Sequence, residues 1–183
     1  MTHPANALPG FGAPAVGFDT PFEMLEACHE RIERTMALLD KLCSYLHQHA
    51  CDDSARQAAR DVLRYFDVAA PLHHQDEELH IFPLLLAQGS PDVMDRVRQL
   101  QNDHGQMGMH WRDARRRLQA LADGQSHSFS AEDEATFALF SQGYAAHIAS
   151  EEEVVYPAAR ALMDTPTIEQ MGQEMRRRRG AAA

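Results

Sequence analysis

The sequence predicts an all-α protein folded as an up-down-up-down four-helix bundle, and three observations carry that expectation. Apolar residues recur at three- and four-residue steps along four long stretches. Polar or glycine-containing turns separate those stretches, and no stretch alternates with period two.

Residues 1–19 hold Pro4, Pro9, Gly10, Gly12, Pro14 and Gly17 without periodicity and read as a flexible N-terminal arm. The first helix opens at Thr20-Pro21-Phe22-Glu23, with Thr20 as cap, Pro21 at the first helical position and Glu23 completing a capping box. Its inward stripe is Leu25, Ile32, Met36, Leu39, Cys43 and Leu46. The second helix runs from near Ser54 to about Ala87, and Gly89 stops it. Pro71 lies inside it, two residues before His73, either as a tolerated kink or as a bend that aims the next turn at the core. Ser90-Pro91-Asp92 caps a third helix with Val93, Val97, Leu100, Met107, Leu118 and Leu121 inward, ended by Asp123-Gly124. Ser130 with Asp133 opens a fourth, with Phe137, Phe140, Tyr144, Val154, Ala158 and Leu162 inward. The bundle so defined covers residues 20–163. Thr165-Pro166 starts a short helical segment in a C-terminal tail, residues 164–183, which carries the run Arg176-Arg177-Arg178-Arg179.

A chain of 183 residues suits one domain with a substantial core. A net charge of -10 argues against a nucleic-acid partner. No apolar run approaches the roughly 20 residues that cross a bilayer, and Met1 to Gly17 lack the basic-then-apolar pattern of a secretory signal. The expected location is the cytoplasm. Cys28, Cys43 and Cys51 fit that expectation: their odd count and spacing match no zinc knuckle, and they read as reduced, buried small hydrophobes. Arg112, Arg115, Arg116, Arg117 and the terminal arginine run read as solvated helix faces and a loose tail, the alternative being contact with an acidic protein partner.

Eleven histidines stand against four tyrosines and one tryptophan. Histidine is the commonest side-chain metal ligand, so placement decides. Residues 73–83 and 147–157 both read H-x-x-x-E-E-x-x-x-[FY]-P, 74 residues apart (147 less 73), and His29 shifted by 75 lands on His104. The chain therefore resembles two helical hairpins, each with one His on its first helix and an H-x-x-x-E pair on its second. Residues on antiparallel helices share a level when they are equidistant from the turn between them. The midpoint of His29 and His73 is residue 51, in the polar turn Cys51-Asp52-Asp53. That of His104 and His147 falls at 125.5, in Asp123-Gly124-Gln125-Ser126. All four imidazoles are thus expected in one layer, with Glu77 and Glu151 one turn on, about 6 Å along the axis.

Four imidazoles and two carboxylates buried without partners would cost several kcal/mol each, and cations remove that cost. The candidate ligands are His29, His73, Glu77, His104, His147 and Glu151. Six such donors suit two ions bridged by carboxylate and an oxo or hydroxo group. Imidazole with carboxylate and no thiolate suits iron, with manganese or zinc as alternatives. His3, His47, His49, His80, His110 and His127 lack the symmetry and read as surface groups. His74 and Glu78 form a second pair about 100° round the helix. The repeat decides against them, because Phe82 follows Glu77 by five residues as Tyr156 follows Glu151. Tyr144, one turn before His147, reads as core packing, with a hydrogen-bonding role beside the metal as the alternative.

These residues resemble the hemerythrin family, in its HHE cation-binding branch, over about residues 20–163. The resemblance implies a non-haem di-iron centre whose ligands match His29, His73, Glu77, His104, His147 and Glu151. Oxygen-carrying members have a further His four residues after the position of His104; here Gly108 stands there, and His110 lies on another face. They also place a carboxylate five residues after the last His, where this chain has Glu152, although Glu151 fits the internal repeat better. The four-His, two-Glu set is similar to the branch linked to repair of iron centres and to nitric-oxide or redox stress. The resemblance implies a protein that binds, senses or reacts with O2, NO or peroxide. The alternatives are an iron donor or repair factor and an interaction module with a structural metal. No flavin or nicotinamide site is evident, so electrons for any O–O cleavage would come from outside.

Overall fold

The computed structural model describes residues 17–180; most of the expected N-terminal arm, with His3, lies outside the described residues. Five helices follow in order: α1 Pro21–Leu46, α2 residues 53–88, α3 Pro91–Ala122, α4 residues 131–162 with a break at Gln142 and Gly143, and α5 Thr165–Arg178. Among the described residues there is no strand. Helix α2 packs on α1 and α3, and α4 packs on α3 and α1, which is the antiparallel four-helix arrangement. No helix is long and apolar enough to cross a membrane, among the described residues.

The helix starts follow local chemistry. Asp52 caps α2 by accepting from the Ala55 N–H at 2.8 Å. Ser90 caps α3, and Ser130 with Asp133 forms the reciprocal capping box of α4. At α1 the expected capping box is absent. The Thr20 hydroxyl turns back to the Gly17 carbonyl, 3.3 Å away, and Glu23 pairs with Arg160 of α4.

Helices α2 and α4 are not regular. Wide π-turns occupy Tyr65–Ala69, Glu77–Ile81 and Glu151–Val155, and in each the next N–H donates to a carbonyl five residues back. Each ends two residues before a proline: Pro71, Pro83 and Pro157. Proline has no N–H to give, and its ring collides with the carbonyl four residues behind. The extra residue carries that carbonyl clear, so Pro71 is absorbed by a wide turn. One consequence corrects the expected stripe of α4. Beyond Glu151 the extra residue rotates the helix, so Val155, Tyr156 and Ala159 are buried. Val154 and Ala158 are only half-buried, and Leu162 is 41% exposed.

Two apolar cores fill the bundle. One holds Ile32, Leu39, Phe66, Met107, Leu118, Phe137 and Phe140. The other holds Phe22, Leu25, Phe82, Leu85, Leu100, Val155 and Tyr156. His29 lies in sequence between Leu25 of one core and Ile32 of the other, and His104 between Leu100 and Met107, so the polar layer separates two dry compartments. Cys28 is buried, whereas Cys43 and Cys51 are half-buried; none is in a disulfide. Tyr144 packs against Phe66 and Phe140, as the packing reading expects.

The C-terminal tail is not loose where it is described. Helix α5 buries Met171 and Met175 in the second core. Arg178 and Arg179 reach the carboxylate of Asp76, which is fully buried, at 2.7 and 2.5 Å. Asp76 thus adds a second counter-charge to that of Glu174, which pairs with Arg178 within α5 at 2.8 Å, and it precedes Glu77 by one residue.

Candidate metal centre

The polar layer takes one side chain or pair from each of the four bundle helices. His29 comes from α1, His73 and Glu77 from α2, His104 from α3, and His147 and Glu151 from α4. All six are buried. They gather as two imidazole pairs. His29 Nε2 is 3.1 Å from His73 Nε2, and His104 Nε2 is 3.2 Å from His147 Nε2.

The two carboxylates lie between the pairs. Glu151 sets Oε2 3.1 Å from His29 Nε2 and Oε1 2.9 Å from His147 Nε2. Glu77 sets Oε1 3.5 Å from His73 Nε2 and Oε2 3.4 Å from His104 Nε2. Each carboxylate therefore offers one oxygen to each pair, as a bridge between two cations requires. Both oxygens of Glu151 and Oε2 of Glu77 are buried without a hydrogen-bond partner among the described residues. Nitrogen and oxygen come close here without hydrogen-bond geometry, as lone pairs do when they converge on a common point. Leaving such groups unsatisfied costs about 1–3 kcal/mol each, and more when charged. Buried imidazole and carboxylate with no sulfur fit iron, manganese or zinc.

The second glutamate of each E-E pair has a separate task. Glu152 Oε1 accepts from His29 Nδ1 at 2.8 Å, and Glu78 Oε1 accepts from His104 Nδ1 at 2.9 Å. A carboxylate on Nδ1 holds the proton there and leaves the Nε2 lone pair facing inward. Asp103 lies 3.5 Å from His147 Nδ1. Glu152 is therefore placed as a support for His29, and Glu151 is the residue inside the layer.

The aromatics of the repeat complete the walls. Tyr156 stacks on His29 with centroids 5.6 Å apart, and Phe82 on His104 at 5.5 Å. The wide turns bring them there, since a five-residue step from Glu77 or Glu151 returns to the same face only when the turn has the π width. Tyr156 is a site residue whose role the sequence pattern did not assign. Its hydroxyl donates to Glu77 Oε1 and lies 3.2 Å from His29 Nε2.

His74, which the repeat argues against as a ligand, lies beside the layer. Its ring lies parallel to that of His104, with centroids 3.9 Å apart and planes 12° apart. Five imidazoles thus surround the layer. Two sets of donors cluster closely, His29, His73, Glu77 and Glu151 in one and His74, His104 and His147 in the other. Of the remaining histidines, His80 pairs with Glu174 of α5 and His47 with Glu134, away from the layer.

The buried groups of the cluster strongly perturb one another's protonation. Burial opposes charge on His29 and His104, but Glu151, Glu77 and their neighbouring carboxylates outweigh it, raising them to about 8 and about 10. Burial, then repulsion from neighbouring imidazoles, takes His73 and His74 well below the usual range. Burial and the Glu151 charge push Glu77 up to about 7; for Glu151 itself, three imidazoles overcome burial and take it far down.

A cavity of about 400 Å³ between α3 and α4 borders the layer; Arg96, Asp103, Met107, His110, Gly143 and His147 are among its lining residues.

The sequence profile of the hemerythrin HHE cation-binding domain matches residues 20–177, which includes most of α5. A protein of Haemophilus influenzae, described only as uncharacterized, is 32% identical over 162 residues, 88% of this chain and 91% of that protein.

Proposed function

The chain belongs to the hemerythrin HHE cation-binding family, and from that premise we propose that it holds two iron ions and uses them to bind, sense or react with O2, NO or peroxide. The ligand set is His29, His73, Glu77, His104, His147 and Glu151. The observation that carries this reading is the placement of Glu77 and Glu151, each with one oxygen toward either imidazole pair. Ferrous ions held there would supply electrons and exchangeable coordination positions to a small ligand. The protein's own groups do the rest. Glu152 and Glu78 fix the tautomers of His29 and His104. The Tyr156 hydroxyl holds Glu77 by donating to its Oε1 and stands beside His29. The two apolar cores keep bulk water from the layer, and the cavity at His147 gives a small molecule a way in.

The proposed setting is the cytosol, where the three cysteines, free in the structure, stay thiols. The test is anaerobic loading with ferrous iron, metal analysis, then separate addition of O2, NO and peroxide with the absorption spectrum followed in time. Two irons per chain and new charge-transfer bands support the proposal; two irons with no spectral response to any of the three ligands would overturn the reactive part.

A second reading, iron delivery to damaged iron centres, draws support from the same cavity, because His147 lies on its wall. It predicts that the loaded protein restores an apo iron–sulfur protein faster than free ferrous ion does. A transfer rate no greater than that of free ion rejects it.

A further inference from the structure

We propose that His74 is a fifth imidazole ligand, serving the ion held by His104 and His147, so that the two ions have unlike donor sets. This rests on the dinuclear reading above and adds a residue to it.

His74 follows His73 directly, and neighbours on a helix point about 100° apart. Ordinarily that sends one of them to solvent. Helix α2, however, lies between α1 and α3, so both directions are interior. His73 addresses His29 of α1, and His74 addresses His104 of α3. Donor atoms of His74, His104 and His147 lie within 4.8 Å of one another, the reach of one coordination sphere. The rings of His74 and His104 are parallel at 3.9 Å, and the His147 ring is tilted 60° to His74 at 6.1 Å. The Nε2 atom of His74 is buried and has no hydrogen-bond partner among the described residues. A histidine that served only as a packing ring would gain by presenting that nitrogen to water or to a carboxylate. Here it is kept dry beside two other imidazoles, an arrangement that a cation relieves.

The other half of the centre differs in kind. Near His29 and His73 the additional polar group is the Tyr156 hydroxyl, 3.2 Å from His29 Nε2. Its counterpart near His104 is Phe82, which has no donor atom. In the sequence repeat the counterpart of His74 is Ile148. Beside the imidazoles the two hairpins thus differ at Ile148 versus His74 and at Tyr156 versus Phe82. The result is one ion with three imidazoles and one with two imidazoles beside a phenol.

The test uses the full chain loaded with Co2+ and proton NMR of the exchangeable ring N–H signals shifted by the metal. Five such signals in the wild type are expected, and four would overturn the proposal. His74→Phe keeps the stacked ring and removes the donor. It is expected to weaken binding of the second metal by at least about tenfold while the first is unchanged. In His74→Gly, added imidazole is expected to restore the second metal. If His74→Phe binds both metals with unchanged affinity, His74 is a packing residue and the dinuclear reading stands without it. If the wild type binds fewer than two metals, both fail together. Should the variants not fold, the signal count in the wild type decides alone.

Discussion

Glu152 and His29 stand 123 residues apart in sequence, yet their side chains meet at 2.8 Å, carboxylate to Nδ1, just outside the candidate centre. That contact fixes which nitrogen of His29 carries the proton. Glu152→Gln keeps the size of the side chain and weakens the hold. The expected outcome is about 10–100-fold weaker metal binding with the number of metals unchanged. Competition against a chelator of known affinity measures it, and an unchanged affinity would show that His29 needs no such support.

Glu151 tests the bridge itself. Glu151→Ala removes the oxygens shared between His29 and His147, so both ions are expected to be lost or weakened together. Loss of one ion alone, by metal analysis of folded protein, would mean that Glu151 serves a single site.

Removing the metal tests the energetics. Glu77 Oε2 and both Glu151 oxygens, buried without a hydrogen-bond partner among the described residues, are tolerable with cations present and costly without them. Chelation is therefore expected to lower Tm, and the loaded protein's Tm is expected to rise with free metal concentration. Identical melting with and without metal would contradict the idea that cations stabilise this layer.

The docking of α5 makes a separate prediction. Asp76 is fully buried, and its charge is answered by Arg178 and Arg179. Arg178→Ala with Arg179→Ala leaves that charge uncompensated and is expected to cost about 3–5 kcal/mol in denaturant unfolding. Adding Asp76→Asn to the pair is expected to recover part of the loss. A loss that does not shrink in the triple variant would place the effect elsewhere on α5.

The capping box of α4 gives a pH signature. For Asp133, burial pushes upward, but the Ser130 bonds and Arg117 prevail and lower its pKa below the ordinary 3.8. Its contribution is fully present above that value and fades as pH falls through the lowered folded-state pKa. Asp133→Asn is expected to cost about 1 kcal/mol near neutral pH and progressively less in acid. A cost that is constant from pH 6 down to about 2 would refute the ionic part of the cap.

The helices, their turns and the common level of His29, His73, His104 and His147 were legible in the sequence because turn residues and histidine spacing both record distance from a turn. Three features were not. The inward face of α4 beyond Glu151 was misplaced, since a straight α stripe selects Val154, Ala158 and Leu162. The cue was present in the five-residue step from Glu151 to Tyr156 ahead of Pro157. The repeat argues against His74 because Phe82 follows Glu77 by five residues as Tyr156 follows Glu151, and that match does not report that α2 lies between α1 and α3, which brings the His74 ring against His104. The arginine run reads as a solvated tail because its buried counter-charge, Asp76, lies about a hundred residues earlier, and no local pattern reports that pairing.

The wide turns at Glu77–Ile81 and Glu151–Val155 also bear on chain length. One residue fewer in either segment would tighten it to an ordinary coil and swing everything downstream by about 100°. Phe82 or Tyr156 would leave its histidine, and Leu85 or Ala159 would leave the second core. At these two places the number of residues is constrained as firmly as their identity, so a one-codon deletion should be worse tolerated than any single replacement of the exposed Leu79 or Glu153.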